Sequence, residues 1–215
     1  MFNRIRNTAI ALAAGIFAGH AAEAQSTHDW TGFHAGAMVG YGELEPNSSA
    51  ANLIQPNSDD AVYGIFAGYD YQFSNRFLIG VEADWAFSDM SSTVPCFNPA
   101  FNCNAGMDSM ATVRARAGMA FDRVLVYGTA GYAHMEYSGF TQNIGAGTIF
   151  PDSRGLDGWT YGLGLEYAVT DRIHIGAEAR WAEFDSTVMN YDVPYPVSPD
   201  TFTALLRVSF KLGGK

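Results

Sequence analysis

Lysine is nearly missing from this chain: Lys211 and Lys215 are the only two in 215 residues, and both fall in the last five positions. Twelve basic residues stand against 22 acidic ones, for a formal charge of −10. There is no basic stripe and no aromatic-basic array, which excludes the electrostatic footprint of a nucleic-acid binder. Long apolar runs are also lacking. Beyond the first 24 residues none approaches the roughly 20 residues of a membrane helix, so a membrane role requires strands. Cysteine is limited to Cys96 and Cys103, in a segment rich in Pro and Asn, with no Cys or His partner nearby to complete a metal set.

The first residues give the chain an address. Arg4 and Arg6 precede an apolar run over 8–18, which ends in Ala22-Glu-Ala24. Charged start, short apolar stretch and small residues at the cleavage positions read as a secretory signal peptide, 1–24, too short to span a bilayer as a helix. Residues 25–215 then form one domain with a formal charge of −11, since Arg4, Arg6 and Glu23 are lost. After export the two cysteines read as a local disulfide. Closing so short a loop constrains the unfolded chain by roughly 2–3 kcal/mol in the chain-entropy model.

The mature chain is organised around a strand that occurs twice. Phe77-Leu-Ile-Gly-Val-Glu-Ala-Asp-Trp-Ala-Phe87 returns as Ile-His-Ile-Gly-Ala-Glu-Ala-Arg-Trp-Ala from Ile173, at an offset of 96 that pairs Arg76 with Arg172, Glu82 with Glu178 and Trp85 with Trp181. Alternate residues of an extended chain point to opposite faces. One face of the first copy is Phe77, Ile79, Val81, Ala83, Trp85 and Phe87; the other holds Gly80, Glu82 and Asp84. The same alternation predicts eight strands, over 30–42, 61–73, 77–87, 108–121, 124–137, 158–169, 173–182 and 201–212. Tight turns at Asn75-Arg76, Asp122-Arg123 and Asp171-Arg172 alternate with long loops at 43–60, 89–107, 138–157 and 187–199.

Three features place these strands in a membrane. They are long for a soluble protein and match a tilted crossing of the hydrocarbon layer. Their apolar faces carry Trp, Tyr and Phe near the ends with aliphatic residues between, the pattern of two aromatic girdles. Their other faces are glycine-rich with scarce charges of both signs, as a narrow closed interior requires. A soluble lipocalin-like barrel is the competing architecture, but it needs a mostly apolar interior with a ligand cavity. The expectation is an all-β, eight-stranded antiparallel up-and-down transmembrane barrel with three short periplasmic turns and four long extracellular loops. Closure is compulsory, because an open edge leaves backbone groups unpaired in hydrocarbon.

On that reading Asp70, Glu82, Asp84, Arg114, Arg116, Glu136, Glu166, Glu178, Arg180 and Arg207 face the lumen and pair with one another as a plug. Trp85, Trp159, Trp181, Tyr127 and Phe210 face lipid. His34, His134 and His174 share the inward parity of separate strands but lack the spacings of a ligand set, so no metal or cofactor is assigned. The run His134-Met-Glu136-Tyr-Ser138 holds nucleophile-type residues without a supporting motif, and no enzyme activity is expected. The expected role is structural, supporting the envelope and presenting loops. A narrow channel for small solutes is one alternative; a receptor or adhesin acting through loop 89–107, with Phe97 and Phe101, is the other. Outer-membrane lipid and lipopolysaccharide are the expected surroundings, with host or surface ligands meeting the loops.

Trp30-Thr-Gly-Phe-His-Ala-Gly-Ala-Met-Val-Gly-Tyr-Gly, followed by Gly-x-Glu-x-x-Trp strands and Asn-Arg or Asp-Arg turns, resembles the alphaproteobacterial outer-membrane immunogenic proteins, small porin-like or opacity-like surface barrels. The resemblance covers essentially the whole mature chain. It implies the outer membrane of a Gram-negative envelope and insertion by the outer-membrane assembly machinery. One departure is visible: such barrels usually finish on an aromatic residue, whereas Phe210 is followed here by Lys-Leu-Gly-Gly-Lys215.

Overall fold

The computed structural model describes residues 28–48 and 56–212. The segment read as a signal peptide, the middle of the first acidic loop and Lys215 lie outside the described residues. Nine strands follow in order: β1 (Gly32–Asn47), β2 (Ser58–Gln72), β3 (Phe77–Pro95), β4 (Phe101–Phe121), β5 (Val124–Asn143), β6 (Ile149–Ala168), β7 (Ile173–Phe184), β8 (Thr187–Asn190) and β9 (Pro194–Leu212). Each pairs antiparallel with its neighbour, and β9 returns to pair with β1 from Phe33↔Leu212 to Asn47↔Ser198. The sheet therefore closes, and every strand of the ring is hydrogen-bonded on both sides. Eight strands make the ring. The ninth, β8, is a short addition that pairs only with the start of β9.

The wall alternates along each strand. Phe33, Ile65, Val81, Trp85, Val113, Trp159, Leu163 and Leu206 point outward and are exposed, Trp159 by 71% and Leu163 by 66%. A continuous apolar exterior of this extent has no stable place in water. Among the described residues no helix is long and apolar enough to cross a membrane.

The segments read as long loops are largely strand. Glu43 and Glu45 extend β1, Asp59 and Asp60 open β2, most of 89–107 and 138–157 becomes paired strand, and 194–199 opens β9 despite its three prolines. Strands of 15 to 21 residues on β2 to β6 exceed the roughly 10 that cross a membrane. The ladders thus continue past the outer aromatic girdle. Beyond that point the outer face turns polar while the inner face keeps Leu44, Met90, Met107 and Leu156 buried, and register shifts at 87–90 and 107–109 interrupt the alternation that marks a strand in sequence.

Asp108 is an extra residue in β4, marked by a register shift between Met107 and Ser109. It exchanges the faces of the strand: Met110, Thr112 and Arg114 are buried below it, Met107, Ala105 and Cys103 above it.

Three interior layers fill the barrel. Nearest the short turns, Trp30 packs with Leu78, Ala120, Leu125, Tyr127 and Ala168. A charged layer follows. Toward the long-loop end lies an apolar layer rich in methionine, with Met38, Met90, Met107, Met110, Met135 and Met189 among Phe66, Tyr137, Leu156 and Phe184. Unbranched methionine side chains suit the irregular space of a tapering barrel. β8 contributes Met189 to this layer, and Asn190 N donates to Asp152 Oδ2 at 2.8 Å, so the hairpin is tied over that end.

Candidate functional site

The charged layer is built from strands around the ring. Direct cross-strand pairing sets Glu82 opposite Arg114, Asp84 opposite Thr112 and Gly80 opposite Arg116, and β7 lies diametrically across from β3. Arg114 Nη2 donates to Glu82 Oε1 at 2.7 Å and to Asp84 Oδ2 at 3.0 Å, and its Nη1 donates to Glu178. Arg116 Nη2 lies 2.9 Å from Glu166 Oε2 and its Nη1 3.3 Å from Glu82 Oε2. Arg180 bridges Asp84 at 3.0 Å and Glu178 at 3.1 Å. Arg207 contacts both Glu82 and Glu178. All of these side chains are almost fully removed from solvent.

Glycines make room for it: a Cβ at Gly80 would collide with Asp70 and one at Gly176 with Glu166. Aromatic faces complete the cation sites. The Arg116 guanidinium sits 3.8 Å from the Tyr127 ring centroid and that of Arg207 3.9 Å from Phe66. His34 lies between Asp70 at 3.7 Å and Glu82 at 3.4 Å. Buried charges persist when they meet opposite charge and hydrogen bonds. Each charged group here meets opposite charge, although Asp70 Oδ1 and Arg180 Nη2 find no hydrogen-bond partner among the described residues.

Nine of the ten charged residues named from the sequence lie in this layer; Glu136 does not. It is exposed on the outer face of β5, beside His134, whose Nδ1 is 2.7 Å from Asp157 Oδ1. Tyr127, read as lipid-facing, is buried, and its hydroxyl donates to Glu178 Oε2 at 3.0 Å. Both corrections have one cause. The two-residue turn Asp122-Arg123 sets Phe121 opposite Val124, so Arg114 faces Gly131 and Arg116 faces Thr129. The odd-numbered residues of β5 must then point inward with the arginines, Tyr127 among them. With Glu136 outside, the negative excess of the lumen shrinks, and Lys211 adds a buried cation at the short-turn mouth.

Trp85, Trp159 and Phe210 are exposed on the outer wall; Trp181 is half-buried there, with ring centroids 6.0 Å from Tyr161 and 5.2 Å from Phe202. Cys96 and Cys103 are joined, stapling the end of the β3–β4 hairpin, and Phe97 beside them is 63% exposed. Among the described residues no group of three or more His, Cys, Asp or Glu is arranged to hold a metal ion.

Sequence reasoning missed His28. It is buried against Trp30 and His174, with ring centroids 4.9 and 5.2 Å away. No periodicity marks it, because it precedes β1 and its partners come from β7 and the turns.

A closed sheet, an apolar exterior and an interior filled by paired charges define a small transmembrane β-barrel. The chain belongs to the outer membrane protein beta-barrel domain family, whose model matches residues 9–210. It is 30% identical over 171 residues to the 25 kDa outer-membrane immunogenic protein of Brucella abortus, covering 80% of this chain and 72% of that protein. It is 29% identical over 168 residues to the 31 kDa outer-membrane immunogenic protein of Brucella melitensis, covering 71% and 70%. In three dimensions it matches the outer membrane protein OprG from Pseudomonas aeruginosa with a TM-score of 0.53 at 13% identity, over 87% of this chain and 99% of that one, a likeness of fold. The protein is thus an outer-membrane barrel, and the short turns of such barrels face the periplasm.

Proposed function

We propose that the protein is a closed surface barrel that supports the envelope and presents its long hairpins to the outside, without conducting solutes and without a catalytic step. One observation carries this reading. Glu178 receives Arg114, Arg180, Arg207 and Tyr127 together, from β4, β7, β9 and β5, so the polar groups that could line a path are bonded to one another across the lumen. The methionine-rich layer above and the Trp30 layer below close the same axis. Eight strands enclose little more than their own side chains.

The apolar wall would sit in outer-membrane lipid, with lipopolysaccharide against its outer rim. Charge is divided along the barrel axis: Arg154 is the one basic residue beyond the outer girdle among the described residues, while Glu45, Asp200 and Glu183 stand side by side on β1, β9 and β7 there. Anionic headgroups would approach that rim through bridging divalent cations. Insertion would use the outer-membrane assembly machinery.

Planar-bilayer recording of the purified barrel tests the central reading: no stable conductance is expected, and discrete wild-type openings would replace it with the narrow-channel reading. The stapled β3–β4 hairpin favours a second role in contacting host or surface ligands. Its exposed Phe97 is held by a covalent link that lowers the ordering cost of binding. Loss of cell or matrix attachment on Phe97→Ser, with surface display unchanged, is the outcome that role requires.

A further inference from the structure

The periplasmic mouth is crossed by residues 28–31, just before β1. His28 N donates to Asp122 Oδ1 at 3.2 Å, Trp30 N donates to Gln72 Oε1 at 2.9 Å, and Trp30 Nε1 donates to the Asp122 carbonyl at 3.1 Å. Lys211 Nζ donates to the Asp29 carbonyl. These contacts draw the segment into the barrel end, where Trp30 is 3% exposed and His28 6%.

At its centre His28 Nε2 and His174 Nε2 stand 3.2 Å apart. Two imidazole nitrogens at that separation share one proton: one donates and the other accepts. A proton added to the accepting nitrogen would set two N–H groups against each other, one of them on a positively charged imidazolium. We infer that this segment is an acid-releasable strap, docked while the His28–His174 pair shares a single proton and freed from the mouth when the pair takes up a second.

The surroundings support that direction. Around His28 stand Lys211 from β9, Arg123 and Asp122 from the β4–β5 turn, Asp171 from the β6–β7 turn at 3.9 Å, and Asp29 of the strap itself. Around His174 stand Glu166 from β6, His34 from β1 and Lys211. Asp171 is 85% exposed, so water screens its carboxylate and it offsets the charge of Lys211 and Arg123 only in part. Burial, followed by Lys211 and Arg123, holds the docked His28 imidazole below its ordinary range. A docked group with a lowered value favours docking above the free value, about 6.5, and loses that contribution as pH falls below it. One proton taken up on release sets a limiting steepness of about tenfold per pH unit. The charged layer lies further along the axis and keeps its own bonds, so the barrel stays folded as the strap leaves.

Trp30 reports the event. In the folded mature barrel carrying Trp85→Phe, Trp159→Phe and Trp181→Phe, Trp30 is the remaining tryptophan, and iodide quenching measures its exposure between pH 8 and 4. A heat-dependent gel shift at each pH establishes that the barrel is intact. Trp30 is expected to be shielded at pH 7.5 and quenched below about pH 5.5, within a unit or so of the free histidine value. His174→Asn keeps an amide to bond His28 and removes one titrating group, so release moves to lower pH. Asp171→Asn removes a carboxylate that eases protonation of His28, so release moves to higher pH. Wild-type shielding that persists to pH 4 overturns the inference, as does a release point shared by wild type and both variants. If His174→Asn already exposes Trp30 at pH 7.5, Asp171→Asn alone decides, and an unmoved release point overturns it.

Discussion

Arg180 Nη1 stands 3.0 Å from Asp84 Oδ1, and the two residues are 96 positions apart, which is the offset between the two copies of the repeated strand. Equivalent positions of one strand design thus meet across the lumen, because β3 and β7 face each other in a ring of eight. The copies agree at Glu82/Glu178 and at Trp85/Trp181 but differ here in sign. Had both kept the same charge, like charges would meet at the centre of the plug.

The pairing is directional, which makes it testable by exchange. Arg180→Asp places a third carboxylate beside Asp84 and Glu178 and is expected to cost about 3–5 kcal/mol, the range for breaking a buried pair. Adding Asp84→Arg should recover part of that loss, the remainder reflecting the bond from Arg114 to Asp84. Urea unfolding in detergent followed by gel mobility measures both. Equal midpoints for the single and double variants would show the pair to be uncoupled.

The inward parity of β5 predicts opposite chemistry at neighbouring positions. In lipid nanodiscs, a thiol introduced by Tyr132→Cys should react with a small maleimide and one introduced by Tyr127→Cys should not. Tyr127→Phe should cost about 1.5–3 kcal/mol, the usual worth of a hydrogen bond to a charged group, through loss of the contact with Glu178.

Two glycines of β5 should behave differently. A Cβ at Gly131 would strike the Val113 carbonyl and the Arg114 backbone, whereas at Gly128 its nearest neighbour is 3.7 Å away. Gly131→Ala is expected to lower stability by more than about 1 kcal/mol and Gly128→Ala to stay within about 0.5 kcal/mol, as ordinary surface changes do. Parallel denaturant curves with unequal midpoints are the readout.

Replacing both cysteines by serine should leave the heat-dependent mobility of the barrel unchanged, because the staple lies at the hairpin end and not in the transmembrane wall. The lost constraint, about 2–3 kcal/mol for so short a loop, is local. Proteolysis within 97–102 should become faster, while the rest of the chain stays resistant.

The sequence alone determined the strand period, the tight turns and which face of each of β1 to β4, β6, β7 and β9 meets lipid. A crossing strand lies between two solvents, so every second residue records its surroundings. It also held the means to orient β5: a two-residue turn after a strand whose arginines point inward leaves only one parity. Taken by itself β5 is ambiguous, since Tyr and polar residues occur on both of its faces. The tertiary structure decided what alternation cannot record. Outside the hydrocarbon the outer face is polar and two register shifts break the parity of the buried inner face, so the extended hairpins carry no clean alternation. Pairing across the lumen joins residues by position in the ring, as with Arg207 and Glu82, 125 residues apart. His28 sits on no strand, and only closure of the ring around it turns a leader residue into a buried partner of His174.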